Sequence, residues 1–243
     1  MIIECHCLPV SNMDEVSTIA VVLPAYNESA VIGSVLSRMP SRINSSQIVP
    51  IVVDDGSTDE TSERAREQGA YVVRHLTNLG VGAATITGLW AARQLDADLV
   101  VTMDADGQHD PNEIEALVQC LVGGPFDVVI GSRILNPQGM PISRVAANLL
   151  LNAVTFVAYR KIVSDSQSGF KAFSRRAVES LDLRSTGYEI CSEIIGEIYR
   201  KKLRYKSMPV KAVYTKYSQA KGQHFLNGIN LILGLLMRFM RRV

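Results

Sequence analysis

Short runs of β-branched residues alternate along the first half of the chain with segments whose apolar residues recur every three or four positions. The short runs predict strands, and the longer spacing predicts amphipathic helices. The predicted strands are 18–23, 48–53, 71–75, 97–103 and 127–131, and the predicted helices between them are 31–39, 57–69, 80–95 and 110–123. This alternation predicts an α/β fold, in which a mostly parallel sheet carries helices on both faces.

Two of the predicted helices begin with capping signals. Ser57 and Glu60 fit the S-x-x-E pattern of a capping box. Asp110, Pro111 and Glu113 fit the N-cap, the first and the third helical positions of the next helix. We therefore expect Asp110 to satisfy free backbone N–H groups rather than to bind a ligand.

Beyond residue 140 the regular alternation ends. Residues 142–161 predict an apolar helix, 164–174 a loop that leads into a strand, 187–201 a helix, and 205–214 a strand. No repeat or low-complexity linker separates these segments. Residues 17–223 are therefore interpreted as one domain that follows a tail at 1–16.

Residues 224–243 predict an amphipathic helix. One face carries Asn227, Asn230, Gly234, Arg238 and Arg241, and the other carries Ile229, Ile232, Leu233, Leu236, Phe239 and Met240. The asparagines and arginines argue against a transmembrane span and favour a helix that lies on a membrane surface. A subunit contact, which would make the protein a homo-oligomer, is an open alternative.

Composition narrows the class of protein. Apolar residues make up 47% of the 243 residues and the formal net charge is +1, which is typical of a globular chain and gives no reason to expect nucleic-acid binding. The cysteines, Cys5, Cys7, Cys120 and Cys191, show no spacing that suits a disulfide or a zinc site. They indicate a reducing, cytosolic compartment, and we expect no signal peptide.

Polar clusters follow three of the predicted strands: PAYNE the first, DDGSTD the second and DADGQ the fourth. Ligands of such folds bind at the edge where the carboxyl ends of parallel strands meet. Asp104 and Asp106 flank Ala105 at a strand end, so their carboxylates can converge on one point. Together with Gln108 they suit a hard divalent cation, Mg²⁺ or Mn²⁺. A solvated acidic turn is the alternative.

Two further features point to a nucleotide. Asp55 ends the second strand and can accept a hydrogen bond from a nucleobase N–H, although either Asp54 or Asp55 could instead begin the following turn. Segment 80–88 resembles a dinucleotide-binding fingerprint, but Thr85 stands at the third glycine position. Gly82 and its small neighbours are expected to allow close approach of a ligand, of a strand, or of both.

Six motifs are similar, in the same order, to those of the inverting glycosyltransferases of family 2, which have the GT-A fold. They are VVLPAYNE, IVVDDGSTDET, NLGVGAATITGLWAA, DADGQHDP, GSR and DSQSGFKAFSR, and the resemblance covers roughly residues 17–223. The likeness is strongest to dolichol-phosphate mannose synthases and bacterial polyprenyl-phosphate glycosyltransferases. It implies a metal-dependent, inverting hexosyltransferase that moves a sugar from a UDP- or GDP-sugar to dolichyl or undecaprenyl phosphate at the cytoplasmic face of a membrane.

The resemblance also implies roles for particular residues. Those expected to bind the nucleotide are Pro24, Ala25, Tyr26, Glu28, Asp55, Gly82, Asp104 and Ala105, and those expected to hold the metal are Asp104, Asp106 and Gln108. Catalytic roles are expected for Asp106 and Glu193. The acceptor is expected to contact Arg133, Arg144, Lys171 and Lys221. Lys221 lies in YTKYSQAKGQ, which departs from the family's usual Arg-x-x-Gly-x-Ser-Lys ending.

The chemistry of the acceptor decides whether a general base is needed. A lipid phosphate is largely ionised near pH 7, because its second pKa is about 6, so it needs cations more than a base. An acceptor hydroxyl on a glycan or glycolipid is the nearest alternative, and it would need Glu193 as the base. The remaining alternatives are a non-catalytic nucleotide-sugar-binding module and a nucleotidyltransferase that releases pyrophosphate.

Overall fold

The computed structural model describes residues 16–138, 140–159 and 163–213. Within these ranges the strands are β1 (Thr18–Ala25), β2 (Arg42–Ile43), β3 (Ser46–Asp54), β4 (Tyr71–Arg74), β5 (Leu99–Thr102), β6 (Val128–Ser132), β7 (Lys171–Ser174) and β8 (Tyr205–Pro209). The helices are α1 (Ile32–Ser37), α2 (Thr61–Glu67), α3 (Val81–Gln94), α4 (Ile114–Val122), α5 (Ile142–Tyr159), α6 (Arg175–Ser180) and α7 (Ile190–Arg200). A 3₁₀ turn at Pro111–Glu113 precedes α4.

Three expectations concern residues outside these ranges. They are the tail at 1–16, of which only Val16 is described, the acceptor contact of Lys221, and the amphipathic helix at 224–243. Among the described helices, none is long and apolar enough to cross a bilayer.

The strands form one mixed sheet in the order β2-β3-β1-β5-β7-β6-β8, with β4 paired to β3. The pairings β4-β3, β3-β1 and β1-β5 are parallel, which confirms the parallel sheet predicted for the first half of the chain. β7 is antiparallel to both β5 and β6. The first residue of β7, Lys171, therefore lies at the same edge of the sheet as the carboxyl ends of β5 and β6.

The core fills both faces of the sheet. In β1, Ile19 and Val21 point into the cluster formed with α1, α2 and α4, while Ala20 and Val22 point into the cluster formed with α3, α6 and α7. Successive residues of a strand face opposite sides, so a strand that is buried on both sides has no polar positions. This explains why the central strands appear in the sequence as continuous apolar runs.

The local predictions had mixed outcomes. Asp110 caps the 3₁₀ turn, since its carboxylate accepts from the N–H of Asn112, and α5 begins at the predicted residue. The capping box of Ser57 and Glu60 is wrong. Helix α2 begins only at Thr61, and Glu60 makes no side-chain capping bond. The predicted strand at 205–214 is shorter in the structure, because β8 ends at Pro209.

Candidate functional site

A cleft of about 500 Å³ lies at the edge of the sheet where β1, β3 and β5 end. Of the residues selected from the sequence, it is lined by Pro24, Ala25, Tyr26, Glu28, Asp55, Asp104, Ala105, Asp106, Gln108, Arg133, Arg144 and Lys171. The three polar clusters therefore meet at one site, for the reason that the parallel strand ends predict. Gly82 and Glu193 are not among the described residues that line it.

The neighbouring carboxylates of Asp54 and Asp55 have different roles. Asp54 is fully buried and accepts hydrogen bonds from the backbone N–H of Ser57, at 2.8 Å, and from the hydroxyl of Ser62. It therefore begins the turn that leads to α2. Asp55 is the member of the pair that lines the cleft.

Asp55 also accepts hydrogen bonds from the loop that leads to α3 and so stabilises it. Its Oδ1 accepts from His75 Nδ1 at 2.7 Å and from the N–H of Leu79 at 2.9 Å, and its Oδ2 accepts from the N–H of Gly80 at 2.8 Å. The other ring nitrogen of His75 lies 3.0 Å from Thr87 Oγ1. Because a carboxylate offers about four acceptor positions, these bonds leave about one, on Oδ2, for a ligand.

Gly82 contributes to packing and does not line the cleft. Its N–H donates to the carbonyl of Thr186 at 2.7 Å. A Cβ at this position would come within 2.3 Å of the carbonyl oxygen of Ser185. The missing side chain thus allows segment 185–187 to lie directly against α3. The close approach made here is that of another part of the chain, and the expected nucleotide contact of Gly82 stays a prediction.

Asp104 and Asp106 face the cleft with pKa values shifted in opposite directions. Loss of solvent by itself raises the pKa of Asp104, but the hydrogen bond and charge of His109, together with the charges of Arg133 and Lys171, outweigh it and lower the pKa. Burial, followed by the negative charge of Asp104, raises the pKa of Asp106. The pair thus carries crowded negative charge that a cation would relieve.

The two carboxylates fit a divalent cation that also binds oxygens of a ligand. The side chain of Asp104 is 41% exposed and lines the cleft, as do Asp106 and Gln108. The part of the chain that the structure describes contains no group of three or more His, Cys, Asp or Glu side chains placed to hold a metal. Mg²⁺ typically uses one or two carboxylates and keeps its other positions for water and phosphate oxygens, so this donor set is sufficient.

Arg133 lines the cleft and forms an ion pair with Asp165. Its Nε and Nη2 donate to the two carboxylate oxygens of Asp165 at 2.9 and 3.1 Å, and its backbone N–H donates to the same group. Burial raises the pKa of Asp165, but the charge and hydrogen bonds of Arg133 outweigh it and lower the pKa. Asp165 lies in the motif DSQSGFKAFSR, but residue type and spacing alone did not predict a role for it. It fixes the position of the guanidinium.

Lys171 and Arg144 bring further positive charge to the cleft. Lys171 is only 1% exposed, and its ammonium donates to the carbonyl of Ser168. A buried ammonium with a carbonyl as its hydrogen-bond acceptor keeps N–H donors available for an anion. Arg144, on α5, places Nη1 3.5 Å from Oε1 of Gln108. Cations therefore line the cleft close to the candidate metal ligands.

Glu193 accepts hydrogen bonds from the backbone. It is buried, and its Oε2 accepts from the N–H groups of Arg184 and Ser185 at 3.1 and 2.7 Å. This carboxylate therefore fixes the segment that packs against Gly82. Oε2 of Glu193 supports the backbone, and Glu193 is not among the described residues that line the cleft; its expected role toward the acceptor stays a prediction.

Comparison with known proteins agrees with this geometry. The family model described as glycosyl transferase family 2 matches residues 20–182. The UDP-N-acetylglucosamine–dolichyl-phosphate N-acetylglucosaminyltransferase of Methanococcus voltae is 38% identical, over 93% of this chain and 97% of its own length. The dolichol-phosphate mannosyltransferase of Pyrococcus furiosus is 30% identical, over 86% of this chain and 59% of its own.

A solved structure with the same fold is glucosyl-3-phosphoglycerate synthase from Mycobacterium tuberculosis in complex with Mn²⁺, UDP and glucosyl-3-phosphoglycerate. It superposes with a TM-score of 0.67 and 28% identity, over 91% of this chain and 80% of its own. The fold is therefore of the GT-A type, and the candidate site lies where such folds bind their ligands. The chain belongs to glycosyl transferase family 2 and is a glycosyltransferase.

Proposed function

We propose that this glycosyltransferase moves a sugar from a nucleoside diphosphate sugar to a polyprenyl phosphate, with inversion at the anomeric carbon. The observation that carries the proposal is the arrangement of charge in one cleft. Asp104 and Asp106 lie at the end of β5, and Arg133 and Lys171 lie at the neighbouring ends of β6 and β7. The names of the relatives from Methanococcus voltae and Pyrococcus furiosus, both transferases to a dolichol-type phosphate, support the same acceptor class.

The donor diphosphate is assigned to the carboxylate end of the cleft. Asp104 and Asp106 would hold Mg²⁺ or Mn²⁺, with Gln108 beside them. A bound cation would stabilise the negative charge that grows on the β-phosphate as the sugar leaves. The solved relative that contains Mn²⁺ and UDP supports a metal of this kind. Asp106 would therefore contribute to catalysis by holding the cation that stabilises the leaving group.

The nucleoside is assigned to Pro24, Ala25, Tyr26, Glu28 and Asp55. The hydrogen bonds of Asp55 favour uridine over guanosine. Uracil presents one ring N–H, which the remaining acceptor position on Oδ2 can satisfy, whereas the corresponding edge of guanine presents an N–H and an amino group. Guanine would need both carboxylate oxygens, and Oδ1 already accepts from His75 and Leu79. We therefore propose a UDP-sugar as the donor.

The acceptor phosphate is assigned to the cationic end of the cleft. An ionised phosphate oxygen can attack the anomeric carbon without losing a proton, so the reaction needs cations that orient the acceptor and no general base. Arg133, Lys171 and Arg144 supply these cations. Glu193 is not among the described residues that line the cleft, which supports this route over a hydroxyl acceptor, since that acceptor would need a base.

We propose that the enzyme acts at the cytoplasmic face of a membrane. The acceptor is a membrane lipid, and α5 supports docking on a bilayer. Its apolar residues Ile142, Leu150 and Val157 are 86%, 58% and 62% exposed, while Arg144 and Leu151 on the same helix line the cleft. An apolar outer face beside the acceptor end suits docking on a bilayer, where the lipid tail of the acceptor would remain.

The experiment that tests the proposal is incubation of the full chain with Mn²⁺, a short polyprenyl phosphate, and UDP- or GDP-sugars offered one at a time. Mass analysis should find a polyprenyl phosphate that has gained one sugar, together with free UDP. Transfer only to glycan or glycolipid hydroxyls would contradict the acceptor assignment, release of pyrophosphate would indicate a nucleotidyltransferase, and tight UDP binding without any product would indicate a binding module.

A further inference from the structure

His109 directly follows the candidate metal ligands in the sequence, and its side chain contacts one of them. The residue is 1% exposed. Its Nε2 lies 3.3 Å from Oδ2 of Asp104. Its ring stacks on that of Phe170, with the ring centroids 5.0 Å apart and the planes tilted by 39°. An ionised carboxylate accepts hydrogen bonds and cannot donate them, so this contact assigns a proton to Nε2 of His109.

The other ring nitrogen has no such partner. Nδ1 of His109 is buried and makes no hydrogen bond within the described part of the chain. An unpaired buried polar atom is unfavourable. A phenyl ring could occupy this position without burying a nitrogen that lacks a partner. The stacking on Phe170 therefore accounts for the ring shape but not for the nitrogens. The polar contact that remains to explain an imidazole here is the one with Asp104.

A second residue restricts the same carboxylate from another direction. A Cβ on Gly169 would lie 2.3 Å from Oδ1 of Asp104, so the carboxylate rests directly against the backbone. The carbonyl of Gly169 in turn accepts a hydrogen bond from Thr102 Oγ1 at 2.7 Å. The Asp104 carboxylate is thus enclosed between the His109 imidazole and the Gly169 backbone, with its free space toward the cleft.

We propose that His109 is a positioning residue that holds the Asp104 carboxylate in the orientation required to bind the divalent cation. This inference rests on the metal role in the proposed function. Groups that hydrogen-bond to metal ligands orient them, and removing such a group typically lowers metal affinity about 10- to 100-fold. Gly169 supports the same orientation by leaving room for the carboxylate.

The test compares His109→Phe with His109→Gln. Phenylalanine keeps a ring that can stack on Phe170 but has no N–H, and glutamine has no ring but can place its amide nitrogen near the position of Nε2. Mn²⁺ binding is measured by electron paramagnetic resonance with UDP present, so that the readout does not depend on turnover. We expect the Mn²⁺ Kd to rise about 10- to 100-fold in His109→Phe and to return most of the way to the wild-type value in His109→Gln.

Thermal unfolding of each variant separates positioning from folding. A His109→Phe variant with wild-type Mn²⁺ affinity would overturn the inference. So would equal weakening in the glutamine and phenylalanine variants, because the N–H would then not matter. If His109→Phe does not fold, His109→Leu is the second variant, because it also removes the N–H, and wild-type Mn²⁺ affinity in it overturns the inference. Wild-type protein that binds no Mn²⁺ would instead refute the metal role itself.

Discussion

Asp55→Asn and Asp54→Asn form a matched pair that separates nucleotide binding from folding. Each exchange places an amide NH₂ among hydrogen-bond donors. Asp55 accepts from three N–H groups, and Asp54 accepts from Ser57 and Ser62. An unsatisfied buried polar group costs about 1–3 kcal/mol. For a chain of this size, such a loss corresponds to a fall in Tm of roughly 2–12 °C, which we expect for both variants.

Only Asp55→Asn should also weaken the binding of UDP, because Asp54 does not line the cleft. A hydrogen bond to a charged group contributes about 1.5–3 kcal/mol. Since a tenfold change in affinity corresponds to about 1.4 kcal/mol, the Kd for UDP should rise about 10- to 150-fold. The Kd of Asp54→Asn should stay within about twofold of the wild-type value, because mutations of the surrounding structure act mainly on folding.

The assay is calorimetric titration of UDP into each protein with Mn²⁺ present, at a temperature well below every Tm. An unchanged Kd in Asp55→Asn would refute the contact with the base. Equal weakening in the two variants would show that affinity follows the stability of the loop and not the base contact. GDP serves as the second titrant, and we expect it to bind the wild type more weakly than UDP does.

The remaining predictions concern the metal, the acceptor and the two buried carboxylates. Asp106→Ala should abolish transfer with little change in Tm, and EDTA should abolish wild-type transfer reversibly; full activity in EDTA would refute the metal role. Lys171→Met should raise the KM for polyprenyl phosphate and leave UDP affinity unchanged in calorimetry; the opposite result would assign Lys171 to the donor. Glu193→Gln should lower Tm but retain turnover; loss of turnover at wild-type Tm would restore Glu193 as a base. Burial raises the pKa of Asp165, but Arg133 outweighs this effect and holds the pKa below its ordinary value. The pair should therefore stabilise the fold fully above about pH 4 and lose its effect as the pH falls further. In calorimetric scans Asp165→Asn should flatten this acid dependence, and an unchanged dependence would refute the stabilising role of the pair.

The periodicity of the sequence determined the strands and helices of the first half and, through them, the place of the site. Continuous apolar runs are typical of strands that are buried on both faces of a sheet. The segments between these runs are long enough to form helices, which connect such strands in parallel. Once β1, β3 and β5 are parallel, their polar ends must lie at one edge. The meeting of Tyr26, Asp55 and Asp104 in one cleft therefore follows from local pattern alone.

Some features had no local signal, because they depend on contacts between distant parts of the chain. β7 runs antiparallel between β5 and β6, and an apolar run does not show the direction of its neighbours. The capping box at 57–60 matched its pattern, yet the N–H of Ser57 donates to Asp54. A local motif competes with every partner that the fold brings near, and the sequence does not show which partner is closer.

The tertiary structure decided what each charged side chain does. Asp54 and Asp55 are adjacent in the sequence, but one is enclosed by the turn before α2 and the other faces the cleft. Arg133 pairs with Asp165 from a distant loop, and Glu193 accepts backbone N–H groups and is not among the described residues that line the site. A buried charge must find hydrogen-bond partners, and the chain segments that cross nearby determine which partners are available. For this reason, residue type and spacing located the site, while the assignment of Asp55, Arg133 and Glu193 required the folded chain.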